Sequence, residues 1–249
     1  MHLILTGATG LVGSGVLAHI LSLPAGQVTR LSILSRKPVA MAEAANKPNV
    51  KFIQHDDFSS YPAELLQELK GADGVVWALG ISQTEVNKED YIKITKTYTL
   101  EAAKAFSGLS ENFKFVYVSG EGATLTPGLF TPLFGRVKGE TEAALLEMGK
   151  SIPSLKVLSV RPGGVYPYAQ PEVLKAIAAK RTSIRFKVVD RVILPILRAC
   201  YANMVSPTKD LGRVLTDLAM GNGEPLEGKG VEGQGRIVTN VGMRRLAGI

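Results

Sequence analysis

The run Thr6-Gly7-Ala8-Thr9-Gly10-Leu11-Val12-Gly13 constrains this chain more than any other segment. It follows His2 to Thr6, an apolar stretch that reads as a strand, and opens Gly10 to Leu23, which reads as a helix ending before Pro24. At this spacing each glycine answers a steric need. Gly7 lets the chain turn sharply, Gly10 lets a pyrophosphate approach the backbone, and Gly13 lets the helix lie close on the strand. The N–H groups around the helix start, at Thr9, Leu11 and Val12, then face the phosphate.

The rest of the chain keeps the same rhythm. Val28 to Ser35, Val50 to Ile53, Gly74 to Leu79, Phe113 to Ser119 and Leu155 to Val160 read as strands. Pro62 to Leu69, Lys88 to Phe106 and Thr131 to Met148 read as helices between them. Such alternation predicts an α/β fold, a Rossmann-type doubly wound parallel sheet with ligands at the carboxyl ends of its strands. After Tyr166 the pattern changes. Pro171 to Lys180 and Val188 to Asn203 look helical, and Ser206-Pro207 starts a further helix running to about Met220, with Asp210 in its first turn. Beyond it we expect glycine-rich loop and a final short strand. Residues 1–166 are thus expected to form the dinucleotide-binding unit. Residues 167–249 form a small, mainly helical substrate-side cap of the same globule.

The end of the second strand selects between dinucleotides. A site for the unphosphorylated form usually carries an acid there, to bond the ribose 2′-OH. This chain has Ser35-Arg36-Lys37, with no carboxylate to repel a 2′-phosphate. Arg pairs with such a phosphate through two hydrogen bonds and Lys adds a point charge, so NADP(H) is the expected cofactor. The net charge of +7, from 29 Lys plus Arg against 22 Asp plus Glu in 249 residues, suits an anionic ligand. The basic residues are scattered rather than arranged in a stripe among aromatics, which argues against nucleic acid. His2, His19 and His55 show no metal-ligand spacing, and no metal is expected. The lone Cys200 excludes an internal disulfide. With no basic leader before the first strand, a cytoplasmic location is expected. The apolar run Val188 to Leu197 is too short to span a bilayer and is interrupted by Asp190, Arg191 and Pro195. Cap core, substrate wall and peripheral membrane contact stay open for it. Oligomeric state is not readable.

TGATGLVG, FVYVSGEGA, FGRVKGETE and RPGGVY together resemble the short-chain dehydrogenase/reductase superfamily over about residues 1 to 220. The nearest likeness is to its atypical Tat-interacting-protein-like and NmrA-like members. The resemblance implies adenine contacts at Asp57 and Phe58, a cofactor ribose beside Leu79 and Gly80, and a nicotinamide flanked by Pro162, Gly163 and Val165. It further implies a catalytic Tyr-x-x-x-Lys, whose residues share a helix face, with a Ser or Thr at the end of the preceding strand. Lys138 matches the lysine, as catalyst or as holder of the ribose, but Phe134 stands where the tyrosine would be. The hydroxyl position falls on Ser119, Gly120 or Glu121, depending on alignment. A carboxyl at Glu121 would be a candidate acid or base. Phe134 and Tyr166 are the candidate substrate contacts.

The expected function is therefore an NADP(H)-binding enzyme acting on a small, largely apolar molecule. Two chemistries fit a chain without the phenol: reduction with a proton from elsewhere, or a non-redox isomerisation or cyclisation shaped by the inherited pocket. A non-catalytic NADP(H)-sensing regulator or partner-binding protein is the alternative.

Overall fold

A computed structural model describes residues 1–167, 169–178 and 204–249. The expected helix Val188 to Asn203, the apolar run within it, Tyr168 and Cys200 lie outside the described residues. The strands β1 (His2–Thr6), β2 (Arg30–Ser35), β3 (Val50–Gln54), β4 (Gly74–Trp77), β5 (Phe113–Val118) and β6 (Leu155–Val160) pair in parallel. Their order is β3-β2-β1-β4-β5-β6, which reverses direction between β1 and β4 and leaves a crevice there.

Alternation along each strand sends side chains to opposite faces. Leu3 and Leu5 join one cluster, with Val16, Leu17 and Ile20 of α1 (Leu11–Ser22), whereas Ile4 joins the other. That second face is aromatic. Phe113, Phe115 and Tyr117 of β5 meet Trp77 of β4, whose ring stacks on Phe115 at 5.8 Å, all nearly inaccessible to water. Each such side chain contributes about 1.5–3 kcal/mol by burial, so the sheet's two faces supply most of the driving force for folding.

The predicted 88–106 helix forms as α4 (Lys88–Ile92), a π turn over Lys93–Thr97 and α5 (Tyr98–Phe106), following without a break. Asn87 caps it, its Oδ1 accepting from Asp90 N at 2.8 Å. The expected helices at 62–69 and 131–148 appear as α3 (Ala63–Leu69) and α6 (Leu133–Ser151), and α7 spans Pro171–Ile177. A short α2 (Ala40–Ala45) is additional.

The segment read as cap departs from expectation. Ser206 does not cap a helix. It lies in β7–β8 (Gly164–Tyr166 with Val205–Pro207), and Pro207 precedes α8 (Thr208–Met220). Further on, β9 (Val231–Glu232) and β10 (Ile237–Val238) extend the main sheet, β10 pairing in parallel with β6. Helix α9 (Asn240–Ala247) then packs Met243 and Ala247 into the core beside α1 and α8. Among the described residues no helix is long and apolar enough to cross a membrane, and no cluster of three or more His, Cys, Asp or Glu could hold a metal.

One buried group in β1 makes stability depend on pH. His2 is 9% exposed, with Nε2 2.9 Å from Ser32 Oγ. Burial, then the Arg30 charge, lowers its pKa to about 4. Burial also lowers His19 and His55. Between pH 6.5 and 4 the unfolded chain binds protons that the folded chain refuses, so stability falls as pH drops through that window. We expect urea denaturation to show a loss of about 2 kcal/mol from His2 alone between pH 7.5 and 5. The loss should shrink in His2→Gln. Equal stability of the parent at both pH values would contradict this account.

Candidate functional site

The carboxyl ends of β1, β4, β5 and β6 open into a cleft of about 1100 Å³. Gly10, Leu11 and Val12 form one side, Ala78 to Ser82 the next, and Ser119 to Gly122 with Lys138 the third. Pro162 to Val165, Met204 and Asn240 close it.

The glycines of the first loop divide their work. Gly7 has φ +69°, and a Cβ there would run into the Ala78 carbonyl at the end of β4. A Cβ on Gly13 would overlap the Gly7 carbonyl. Both are demanded by the fold itself. Gly10 differs, because a Cβ there would meet only the Gly7 oxygen, at 3.2 Å, and would otherwise point into the cleft. A side chain at Gly10 would need only a small shift of that one oxygen, far less than at Gly7 or Gly13, so a ligand needing that space is the better reason for its absence. Helix α1 begins here with no side-chain cap and no acid in its first turn. Its first N–H groups have no intrahelical partner, and the helix dipole adds positive potential. The cradle therefore fits a phosphate group.

Ser35 closes β2 and turns the chain, its Oγ donating to the Lys37 carbonyl at 2.8 Å. Arg36 and Lys37 are exposed, and among the described residues neither is in an ion pair. Asp57 caps its own turn, accepting from Ser59 N at 2.9 Å and from Ser59 Oγ, bonds that hold its carboxyl below the usual range. Phe58 can meet an adenine only through its main chain, because its ring is 2% exposed and packs edge-on against His55 and Trp77.

At the centre of the cleft, Lys138 Nζ donates to the carbonyls of Ser119 (2.7 Å) and Val118 (3.2 Å) and lies 5.8 Å from the centre of the Tyr117 ring. Desolvation lowers its pKa to about 8, against the upward pull of Glu142 one turn along α6. A side chain at Gly120 would meet this lysine, since a Cβ there comes within 3.7–4.0 Å of its Cδ, Nζ and Cε. Ser119 also lines the cleft, with its Oγ buried and without a hydrogen-bond partner among the described residues. Glu121 lines it too, but its Oε2 accepts from Asn240 N at 3.0 Å, at the start of α9. Phe134 does not line the cleft. Its ring packs against Gly122, close enough that a Cβ there would sit 3.1 Å from Cζ. Tyr166 is also absent from the lining and is buried with Val205.

The sequence did not point to Asn240. Its Oδ1 accepts from Gly163 N (3.1 Å) and Ser206 Oγ (2.6 Å). Nor did it reveal the support behind Lys138. Glu142, fully buried, takes two hydrogen bonds from Arg161 Nε (2.9 and 3.2 Å) and one from its Nη2 (2.6 Å). Arg161 Nη1 reaches Glu232 of β9 at 2.9 Å.

Leucinostatins biosynthesis cluster protein T of Purpureocillium lilacinum is 32% identical over 263 residues, spanning 98% of this chain and 94% of that protein. Botcinic acid biosynthesis cluster B protein 16 of Botryotinia fuckeliana is 41% identical over 157 residues, 60% of this chain and 98% of that protein. Among solved structures, an oxidoreductase of the short-chain dehydrogenase/reductase family from Burkholderia thailandensis superposes with a TM-score of 0.63. That match covers 99% of this chain and 92% of the other at 16% identity. This chain has the fold of the short-chain dehydrogenase/reductase enzymes. The Bordetella bronchiseptica enzyme WbmF, solved in complex with NADH, also has a TM-score of 0.63, over 99% of this chain and 77% of its own, at 13% identity. No family model matches the sequence.

The Glu142–Arg161 pair ties α6, which carries Lys138, to the end of β6, where Pro162 and Gly163 begin. Removing one member of a buried ion pair leaves the other's charge uncompensated and costs about 3–5 kcal/mol. Glu142→Gln should fall at the low end of that range, because Glu232 still faces Arg161. Denaturant titration checks this, and a loss below about 1 kcal/mol would show that Glu232 suffices.

Proposed function

We propose that this protein is an NADP(H)-dependent enzyme of the atypical short-chain dehydrogenase/reductase type, acting on a small, largely apolar molecule. The observation that carries the reading is the vacant side-chain position at Gly10. It lies above the uncapped start of α1 and opens into the same cleft as Lys138. On this reading the amides of Thr9 and Leu11 to Gly13 bind the pyrophosphate, and Ser35, Arg36 and Lys37 the 2′-phosphate. Asp57 and the main chain of Phe58 lie along the adenine. Leu79 and Gly80 lie along the nearer ribose, and Pro162, Gly163 and Val165 along the nicotinamide. Bound there, a nicotinamide dinucleotide supplies or accepts a hydride. WbmF, of similar fold, holds NADH. Two relatives are named as products of biosynthesis clusters, which favours an enzyme over a sensor.

Phe134 favours a second chemistry on the same scaffold. Phenylalanine has no proton to give, so isomerisation or cyclisation without net oxidation of the cofactor stands beside carbonyl or enone reduction. Product analysis alongside NADPH absorbance separates the two: conversion with constant absorbance is non-redox, and conversion with stoichiometric loss is reduction.

Fluorescence titration tests the cofactor assignment. The parent should bind NADPH more tightly than NADH. Arg36→Ala should remove a charge-assisted contact of about 1.5–3 kcal/mol, a ten- to hundredfold loss for NADPH, and leave NADH nearly unchanged. Equal affinities in the parent would refute the preference.

Because a Cβ at Gly10 meets only the Gly7 oxygen, at 3.2 Å, Gly10→Val should still fold, with a near-parental circular dichroism spectrum, and bind neither dinucleotide detectably. A folded variant with parental affinity would show that this loop does not cradle the phosphates.

A further inference from the structure

The phenol of the superfamily pattern is missing from this chain, and the one strand-end hydroxyl, Ser119 Oγ, is buried out of reach of the cleft. Phe134 fills the phenol position with a hydrocarbon ring packed on Gly122, and Gly120 leaves no side chain at the strand-end position facing Lys138. The cleft keeps few groups that can give up a proton at this point. Glu121 is committed to the Asn240 amide. Both oxygens of Glu142 are taken by Arg161, and Glu140 on the same helix is paired with Lys96 at 2.9 Å. Lys138 remains. No carboxylate lies within ion-pair distance of its Nζ among the described residues. Of its three N–H donors, two are spent on the Val118 and Ser119 carbonyls, which leaves one for a ligand.

We propose that Lys138 Nζ is itself the proton donor to the oxygen of a bound carbonyl substrate. The proposal rests on the cofactor reading above and deepens it. As hydride from the reduced dinucleotide adds to the carbonyl carbon, an N–H bond of Lys138 breaks and an O–H bond forms on the substrate. The neutral amine then regains a proton from water. Ser119 Oγ is fully buried and closed off from a ligand in the cleft, which leaves the ammonium as the donor that faces it. The charged and titratable groups packed against the ammonium are Tyr117 of β5 beneath it and Glu142 of α6. Burial outweighs Glu142's upward pull, which places the amine's titration near neutral pH, where a lysine can both give and recover a proton. Arginine in its place would keep the charge and could not give up the proton.

The first test needs neither cofactor nor substrate. Acetic anhydride labelling of the dinucleotide-free protein across pH 6–11, read at Lys138 by peptide mass spectrometry, should give a midpoint near 8. A midpoint above about 10, where an ordinary lysine titrates, overturns the proposal. The second test uses 2-decanone and 2-cyclohexenone with NADPH. For whichever probe is reduced, kcat should fall about tenfold per pH unit above 8. Lys138→Arg should lose at least a hundredfold in kcat while binding NADPH within about threefold of the parent. An arginine variant with near-parental kcat would show that charge alone suffices and overturn the role. The NADPH titration of the parent reads the cofactor assignment on its own. A failure there is thus distinct from a failure of Lys138, which the labelling midpoint decides.

Discussion

The contact on which the site depends is one of backbone against backbone: the start of α1 resting on the carbonyl of Gly7, with no side chain between them at Gly13. Only that approach brings the first turn of α1 to the mouth of the crevice between β1 and β4. The interior is packed to crystal-like density, so inserting even a methyl group here means moving the helix. Gly7 makes the equivalent approach to the end of β4. The loop is thus fixed on two sides by steric contact, and the position left unfilled, Gly10, is the one that faces the cleft.

From that anchor the chemistry is a matter of what surrounds one ammonium group. Lys138 lies on α6, yet its position is set from three directions. The carbonyls at the end of β5 hold its nitrogen, the Tyr117 ring lies under it, and Glu142 one turn later is clasped by Arg161. A buried pair such as Glu142–Arg161 adds little net stability over a well-packed hydrophobic pair, but it cannot be half-removed cheaply. Its effect is to fix the rotation of α6 relative to β6, and with it the direction in which Lys138 points.

Much of this was legible in the sequence. The glycine loop, the strand–helix alternation and the lysine without its tyrosine are local patterns of a few residues, and each appears where it was expected. The remainder failed for identifiable reasons. Strands of two residues, such as β9 and β10, carry no periodicity, and their place in the sheet comes from pairing with β6 some 78 positions away, as in Ile237↔Ser159. The Arg161–Glu232 bond joins residues 71 apart, and no local pattern announces it. The burial of the Phe58 ring in the aromatic cluster of His55, Trp77 and Tyr98 was not legible, because two of those partners, Trp77 and Tyr98, come from other elements. At the strand end, Ser119, Gly120 and Glu121 all line the cleft beside Lys138, and no local pattern chooses among them.

Asn240 has a consequence for the order in which the molecule assembles. Its bonds to Glu121, Gly163 and Ser206 close spans of 119, 77 and 34 residues. The contact of Gly13 on the Gly7 carbonyl in the phosphate cradle, by contrast, is local in sequence. Contacts that close long spans lose the most chain entropy before they return any energy, so they form late and open early. The cleft is therefore a composite in time as well as in space. Its anion-facing side is held by a local backbone contact, and its far wall by bonds from the start of α9. Local opening of α9 would expose the reacting end of the pocket while leaving the glycine loop intact.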